Sequence, residues 1–386
     1  MNSVIRRAKQ AGFACVLLTI AISRATSGVF YPDGARTLHF AFEGNPNSDR
    51  PVIRPPGFYE PDAGFGFIDS PTLFGTSRGV TAPRYFRFDV NLPDGNYDVT
   101  VLPGGTQGES VATFKAEGHR TMLLGVHAGS GGQALQNTFT VNVRHGGPGN
   151  ALDSDGRLNL EFVGINPSMM KLDIKPNDHA ITVYVVGDSL AADLEIPAAG
   201  WGQMLPVLFQ PGQVAIANFA GTNQTAKSFI DSRGLDAVTR TMKAGDYLLV
   251  QFSDADSASL MTYIDEARKH HASIALVSSP SRKSQNVATV REIAQRERIP
   301  LIDLSAKCAA FLEKTGEPNS RKIYADDSNL TSYGALEVAK LFAQEIKAQN
   351  IELSKQLIEG LISSNFRSEQ IPADLESRPD AAATKE

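Results

Sequence analysis

Cysteine is scarce in this chain. Only two of the 386 residues are cysteines, Cys15 and Cys308. Cys15 lies inside an apolar amino-terminal run, so a single cysteine remains beyond that run and no intramolecular disulfide is expected. The neighbours of Cys308 favour a small core residue over a reactive thiol. Stability is therefore expected to come from hydrophobic cores.

The chain also lacks the signatures of several ligand classes. Its formal net charge of −5 gives no electrostatic case for nucleic-acid binding. It has no glycine-rich loop of the kind that cradles phosphates, and no other cofactor signature was found. With 42% hydrophobic and 20% charged residues, its composition is typical of a globular protein.

The amino terminus has the pattern of an export signal. Positive residues precede the apolar run from Ala11 to Ile22, and small residues follow up to Ser27. The pattern predicts a signal peptide over residues 1–27, cleaved near Ser27 or Gly28. The run is short for a membrane span, although an anchored first helix stays open. We expect an exported protein, periplasmic or extracellular, with no stable membrane span after cleavage.

The periodicity of the chain changes once, near Pro176. Residues 29–175 carry short alternating segments separated by turn signals such as Pro93-Asp94-Gly95-Asn96. Such a pattern predicts a β-sandwich or jelly roll. The predicted strands are Leu38–Phe42, Tyr85–Val90, Tyr97–Val101, Phe139–Val143 and Leu158–Phe162.

Residues 180–350 instead alternate nearly apolar strands with helical segments. This pattern predicts a parallel sheet covered on both faces. The predicted strands are Ile181–Val186, Val214–Asn218, Tyr247–Phe252, Ile274–Ser278 and Ile299–Leu304, and the predicted helices are Leu260–Lys269, Val287–Arg298 and Gly334–Gln349. Residues 367–386, charged and rich in Pro, Ala and Ser, are predicted to form a disordered tail.

The first of these strands runs into Gly187-Asp188-Ser189. In an open α/β sheet, ligands bind outside the carboxyl ends of the strands, where this turn would lie. Ser189 is therefore a candidate nucleophile, provided that other loops supply a base and an oxyanion site. The loops expected at the same edge are Phe219–Thr225, Ser253–Asp256 and Tyr324–Asn329.

Several segments of this half resemble the GDSL, or SGNH, hydrolases, and particularly the rhamnogalacturonan acetylesterases. They are Gly187-Asp188-Ser189, Gly200–Pro206, Lys227–Ile230 and Gly245–Phe252. The segments Gly64–Phe67 and Pro93–Tyr97 resemble the sandwich that precedes the catalytic domain in bacterial members. The resemblance implies a galactose-binding-like jelly roll followed by a three-layer, flavodoxin-like α/β domain.

The resemblance also implies roles for individual residues. Ser189 matches the nucleophile and Asp326 the triad acid, but Asn329 stands where the histidine is expected. Ala255 stands where the family has an oxyanion-stabilising asparagine. The family's oxyanion glycine aligns best with Asn223, although a shifted alignment would use Gly221.

An asparagine amide cannot accept a proton near neutral pH, whereas imidazole titrates near about 6.5. Loss of one triad member typically lowers turnover by about 10⁴ to 10⁶. Three carboxylates are candidate substitute bases, namely Asp254, Asp256 and Asp327. These acidic residues also suggest a metal site. Their spacing matches no known metal-binding loop, however, and a solvent-exposed acidic rim of the site is the favoured interpretation.

The resemblance implies a carboxylic-ester hydrolase, but the incomplete triad leaves its activity open. The favoured hypothesis is a weak or inactive esterase that binds acetylated polysaccharide. One alternative is an active esterase that deacetylates polysaccharide with an unconventional base. The other is a structural protein of the cell envelope.

Overall fold

The computed structural model describes residues 37–42, 52–104, 110–128, 135–149, 155–281, 286–316, 322–326 and 329–363. The predicted signal peptide (1–27) and tail (367–386) lie outside the described residues, as does Asp327. We call residues 37–176 the β region and residues 181–363 the α/β region.

The β region is built from antiparallel strands in three sheets. A four-stranded sheet has the order β1 (Leu38–Ala41), β12 (Lys171–Pro176), β6 (Gly95–Leu102), β9 (Asn137–Val143). A five-stranded sheet has the order β2 (Phe65–Ile68), β5 (Tyr85–Asn91), β10 (Arg157–Ile165), β7 (Val111–Ala116), β8 (Arg120–His127). The smallest sheet contains β11 (Ser168–Met169), β4 (Gly79–Thr81) and β3 (Phe74–Thr76).

The two larger sheets share one hydrophobic core. Apolar and polar side chains alternate along their strands, so one face of each sheet contributes apolar side chains to this core. On β5, Phe86 and Phe88 face this core, whereas Arg87 between them faces away. Phe86 stacks on Phe162 of the neighbouring strand β10 at 4.6 Å between ring centroids. The five predicted strands are present with shifted ends, but β7 and β8 between them were not predicted.

The α/β region contains a five-stranded parallel sheet, as the sequence predicts. Its strand order is β14, β13, β15, β16, β17, so the first strand in sequence lies second in space. This order is that of flavodoxin-like folds. The strands are β13 (Ile181–Gly187), β14 (Val214–Asn218), β15 (Tyr247–Gln251), β16 (Ser273–Val277) and β17 (Leu301–Ile302).

Helices cover both faces of the parallel sheet and make three layers. Val183 and Val185 of β13 face one hydrophobic cluster, with Trp201 and the helix Ser332–Ala348. Tyr184 and Val186 face another, with the helices Ser257–Lys269 and Val287–Glu297. The helices are α1 (Trp201–Met204), α2 (Ala226–Asp231), α3 (Gly234–Thr239), α4 (Ser257–Lys269), α5 (Val287–Glu297), α6 (Leu304–Thr315), α7 (Ser332–Ala348) and α8 (Glu359–Ser363).

The predicted strand Ile299–Leu304 is wrong in extent. Only Leu301 and Ile302 pair with β16, and Leu304 begins the unpredicted helix α6. The strand ends early because Asp303 begins a helix instead. Its carboxylate caps this helix by accepting a hydrogen bond from the Ala306 backbone N–H at 3.2 Å. In the part of the chain that the structure describes, no helix is long and apolar enough to cross a membrane.

Candidate active site

Ser189 lies in the turn that follows β13, at the carboxyl end of the parallel sheet, and is half-buried. The turn is held by the Asp188 carboxylate, which accepts from the Ser253 backbone N–H at 2.8 Å and from its Oγ at 2.7 Å. The Gln251 Nε2 also donates to Asp188 at 3.1 Å. A Cβ at position 187 would lie 2.5 Å from the Gln251 carbonyl oxygen, so only glycine fits there.

The Ser189 turn and the loop after β14 each contain a backbone N–H group that makes no hydrogen bond to a described residue. Among the described residues, neither the Ser189 N–H nor the Asn223 N–H donates a hydrogen bond. The Gly221 N–H, in contrast, donates to the Gly187 carbonyl at 3.2 Å. Asn223 has a φ of 60°, a left-handed conformation that glycine adopts freely and that asparagine tolerates. Both observations favour Asn223 over Gly221 as the position of the expected glycine.

Asn329 and Asp326 contact each other directly. The Asn329 Nδ2 donates to both carboxylate oxygens of Asp326, at 2.9 and 3.2 Å. The Asn329 backbone N–H donates to the same carboxylate at 2.8 Å. Asp326 is exposed and Asn329 is half-buried. The Asn329 amide thus lies directly against the Asp326 carboxylate.

Residues 199–201 connect the Asn329 loop to the Ser189 turn through two backbone hydrogen bonds. The Ala199 N–H donates to the Leu330 carbonyl at 2.9 Å, and the Trp201 N–H donates to the Leu190 carbonyl at 2.8 Å. Leu190 and Leu330 directly follow Ser189 and Asn329. Trp201 is itself fully buried and donates from its Nε1 to Gln251 at 3.2 Å, so it supports this edge as a packed residue.

The loop after β15 provides helix caps. Asp254 accepts from the Ala226 N–H at the start of α2 (3.2 Å). Asp256 caps α4 by accepting from the Ser259 N–H at 2.8 Å and from its Oγ at 2.9 Å. The Ser259 backbone N–H also holds the pKa of Asp256 below its usual range. A carboxylate with a lowered pKa is a weak base at neutral pH.

The Ala255 side chain lies in the interior of the protein. It is 1% exposed and belongs to the hydrophobic cluster that contains Phe252 and Leu260. Its methyl group has no hydrogen-bond donor.

No histidine in the described residues is hydrogen-bonded to the Ser189 hydroxyl. His119, of the β region, reaches the boundary with the α/β region, but its ring nitrogens lie 2.9 Å from Glu161 and 3.4 Å from Glu195. His145 is paired with Asp94. Within the described ranges, no group of three or more His, Cys, Asp or Glu residues has the arrangement of a metal site.

The sequence analysis did not identify the residues of other loops that hold the Ser189 turn in place. Ser253 binds Asp188 and also contacts Ser279 Oγ at 2.8 Å, which connects three strand ends. In the sequence, the only indication of these contacts is that Ser253 and Ser279 each follow an apolar strand. Among the described residues, the Ser189 hydroxyl and the N–H groups of Ser189 and Asn223 make no hydrogen bond.

Comparison with known proteins gives relatives in sequence and in structure. No family model matches the chain. The chain is 28% identical over 295 residues to the Bacillus subtilis protein called uncharacterized esterase YxiM, covering 68% of this chain and 75% of that protein. It is also 28% identical over 220 residues to the rhamnogalacturonan acetylesterase RhgT of the same organism, covering 46% of this chain and 94% of the relative.

The crystal structure of B. subtilis YxiM is a structural neighbour. It covers 82% of this chain and 99% of its own, with 24% identity and a TM-score of 0.46.

Proposed function

We propose, taking this chain as a relative of the GDSL hydrolases, that it is an exported homologue of rhamnogalacturonan acetylesterases. In this proposal it binds acetylated polysaccharide and hydrolyses the esters weakly or not at all. The observation that carries the proposal is that the Asn329 amide donates to Asp326, and the resemblance implies a histidine at position 329.

The chemistry of that pair explains why turnover is expected to be low. A triad histidine donates one N–H to the acid and accepts the serine proton on its other nitrogen. Asn329 can make the first contact, but its amide has no basic nitrogen for the second. A mechanism without its base loses about 10⁴-fold or more in turnover.

The remaining features support binding of an ester. Ser189 is half-buried, and the N–H groups of Ser189 and Asn223 make no hydrogen bond to a described residue, so in this proposal they are the donors that hold a carbonyl oxygen. We further propose a signal peptide over residues 1–27 and a periplasmic or extracellular location. In this proposal residues 29–175 form a galactose-binding-like jelly roll, and residues 180–350 form the hydrolase-like domain.

A second candidate function is ester hydrolysis with an unconventional base. The retained Ser189 and its two backbone donors favour it. Asp256 is a poor base because its pKa is lowered. Asp254 and Asp327 remain as candidate bases for this alternative.

The test compares the protein with its Ser189→Ala variant. Acetate release from acetylated pectic polymer and from an aryl acetate is measured, together with retention by the acetylated polymer in affinity electrophoresis. The proposal expects retention of both proteins and equal, near-background acetate release. Serine-dependent release well above background would instead establish the active alternative. Absence of both retention and release would favour the structural envelope role.

A further inference from the structure

The turn between β7 and β8 brings His119 to the boundary of the two regions. Glu117, Gly118 and His119 have φ values of 51°, 68° and 80°, so three consecutive residues adopt the left-handed conformation. Glutamate and histidine are strained there, and such strain persists where the surroundings fix the backbone, often at functional sites. This costly conformation places the His119 ring between carboxylates of both regions.

The contacts of the ring differ at its two nitrogens. Nδ1 is 2.9 Å from Oε2 of Glu161, a buried residue of β10, and Nε2 is 3.4 Å from Oε1 of Glu195, whose side chain is 73% exposed. Because an ionised carboxylate only accepts hydrogen bonds, Nδ1 carries the proton between His119 and Glu161. The neutral ring then presents the lone pair of Nε2 to Glu195. Two electron-rich atoms thus face each other, and a cation between them makes the contact favourable.

The distance between these two atoms fits a metal ion. An ordinary N–H···O hydrogen bond is roughly 2.7–3.2 Å long, shorter than the 3.4 Å between His119 Nε2 and Glu195 Oε1. Zn–N and Zn–O bonds of about 2.0–2.2 Å at the tetrahedral angle place two ligand atoms about 3.4 Å apart. Metal-binding histidines also donate their other ring N–H to a carboxylate or carbonyl, as His119 does to Glu161.

One buried amide holds both segments in place. The Gln203 Nε2 donates to the carbonyls of His119 and Leu194, at 2.8 and 3.0 Å. The Gln203 Oε1 accepts from the N–H groups of Leu194 and Gly200, at 3.2 and 3.3 Å, which closes the loop of residues 194–200. We call this segment the Glu195 loop. Its backbone and that of His119 are fixed before a metal binds, so only the exposed Glu195 side chain has to be ordered.

The surroundings of the ring are acidic. The charged residues that adjoin His119 or Glu161 in the chain or in the strand register, together with their ion-pair partners, are six carboxylates and four cations. The carboxylates are Glu117, Glu161, Glu195, Asp89, Asp155 and Asp193, and the cations are Lys115, Arg87, Arg120 and Arg157. The excess of negative charge favours a cation over an anion at this position.

We infer that His119 Nε2 and Glu195 Oε1 bind one divalent transition-metal ion of the zinc class, with Glu161 orienting the imidazole. Imidazole nitrogen and carboxylate oxygen are ordinary zinc ligands, whereas magnesium and calcium are bound by oxygen atoms. Two protein ligands are fewer than the three or four of permanent zinc sites, so water fills the remaining positions and binding is reversible.

A metal at this position connects the β region to the loops around the candidate active site. The Glu195 loop includes Ala199, whose N–H donates to the Leu330 carbonyl at 2.9 Å, next to Asn329. The ion therefore stabilises the boundary between the two regions. Neither Ser189 nor Asn329 is a ligand, so the inference does not depend on ester hydrolysis.

The test measures zinc binding by titration calorimetry on untagged protein that has been freed of metal with a chelator, and magnesium is the comparison ion. Glu195→Gln removes the exposed ligand, and His119→Asn removes the buried one. Glu266→Gln is the matched control, because Glu266 lies 3.8 Å from His270 in a second His–Glu pair, at the end of α4. Unfolding temperatures without metal are compared first, and Glu195→Gln alone decides the test if His119→Asn does not fold.

We expect Glu195→Gln and His119→Asn to weaken the tightest zinc site by about tenfold or more, and Glu266→Gln to bind like the unchanged protein. Zinc should raise the unfolding temperature of the unchanged protein but not of Glu195→Gln, and magnesium should raise neither. Ser189→Ala should bind zinc unchanged, so failure here and failure of the proposed ester chemistry are distinguishable. The inference is overturned by no zinc binding, by unchanged affinity in Glu195→Gln, by an equal loss in Glu266→Gln, or by equal stabilisation with magnesium.

Discussion

Arg120 of the β region and Asp193 of the α/β region form a fully buried ion pair. The Arg120 Nε and Nη2 donate to the same Asp193 oxygen at 3.1 and 2.9 Å, and Nη1 donates to the Ile216 carbonyl at 2.6 Å. The other Asp193 oxygen accepts from the Asn218 Nδ2 at 2.8 Å. Asp193 lies four residues after Ser189, so an arginine of one region fixes the segment that follows the candidate nucleophile in the other.

Removal of this arginine is expected to destabilise the protein strongly. In Arg120→Met the Asp193 carboxylate would remain buried without its cation, and broken buried pairs typically cost about 3–5 kcal/mol. Urea unfolding measures the loss in the free energy of unfolding. The control is Arg233→Met, whose exposed pair with Asp236 is expected to contribute less than about 1 kcal/mol. Equal losses in the two variants would contradict the assigned role of Arg120.

The Asn329→His variant tests the missing base directly. A histidine at this position could keep the contact with Asp326 and offer a basic nitrogen to Ser189. General base catalysis contributes about 10² to 10⁴-fold, so we expect acetate release to rise by about 10²-fold. The rate should increase as the pH rises through about 6.5, because only neutral imidazole accepts the serine proton.

The matched control for that gain is Asn329→Gln, which lengthens the amide without adding a titratable group. It should show neither the gain nor the pH dependence. Only position 329 is substituted in this experiment. The substitution Ala255→Asn is left out because it would place an amide inside the hydrophobic cluster around Phe252 and Leu260. A folded Asn329→His protein with unchanged turnover would mean that the site has diverged beyond its base.

The sequence predicts the parallel sheet well because strands buried on both faces are continuous apolar runs. β14 has the predicted first and last residues. The last residues of β13 and β15 each differ from the prediction by one position. Strand β8 was missed because Arg120, at its start, is charged yet fully buried. A polar residue in a strand suggests a solvent-facing position, and only the packing of the two regions reveals its partner. The resemblance to rhamnogalacturonan acetylesterases is confirmed by a relative in sequence.

The catalytic roles of the site residues stay predictions, and the contacts that these residues make could not be predicted from the sequence. The assignment of Asp326 and Asn329 rests on the resemblance, which implies an acid followed three residues later by a histidine. The role of Asp256 as a helix cap could also have been predicted from the sequence Asp-Ser-Ala-Ser at the start of the helix, but the acidic cluster suggested catalysis. The Asp188–Ser253 contact joins residues from two loops, and no local pattern encodes it.

The left-handed backbone at Asn223 predicts a specific order of variant stabilities. Asn223→Gly should change the free energy of unfolding by only a few tenths of a kcal/mol, because glycine adopts this conformation freely. Asn223→Ala should lower it by about 1 kcal/mol, since other L-residues are strained there. Thr222→Ala, at the exposed neighbouring position, is the control and should be nearly neutral. If Asn223→Ala were as stable as this control, the assigned backbone conformation would be wrong.

Asp256 provides a pH-dependent test of the loop after β15. Its folded-state pKa is lowered by the Ser259 backbone N–H, so it contributes stability that is present above its unfolded pKa of about 3.9. That contribution is lost as the pH falls through the lowered folded pKa. Asp256→Asn keeps an N-cap acceptor but does not titrate. The difference in unfolding free energy between the unchanged protein and this variant should therefore shrink below about pH 4.

Asp256→Ala removes the cap itself and should lower the free energy of unfolding by about 1 kcal/mol near neutral pH. Ser257→Ala, at the exposed first position of the same helix, is the matched control and should have little effect. Both outcomes follow if Asp256 is a structural cap, because a cap needs only the Ser259 contact. A catalytic base would give the opposite pattern: near-normal stability in Asp256→Ala, and a large loss of whatever serine-dependent acetate release the unchanged protein has.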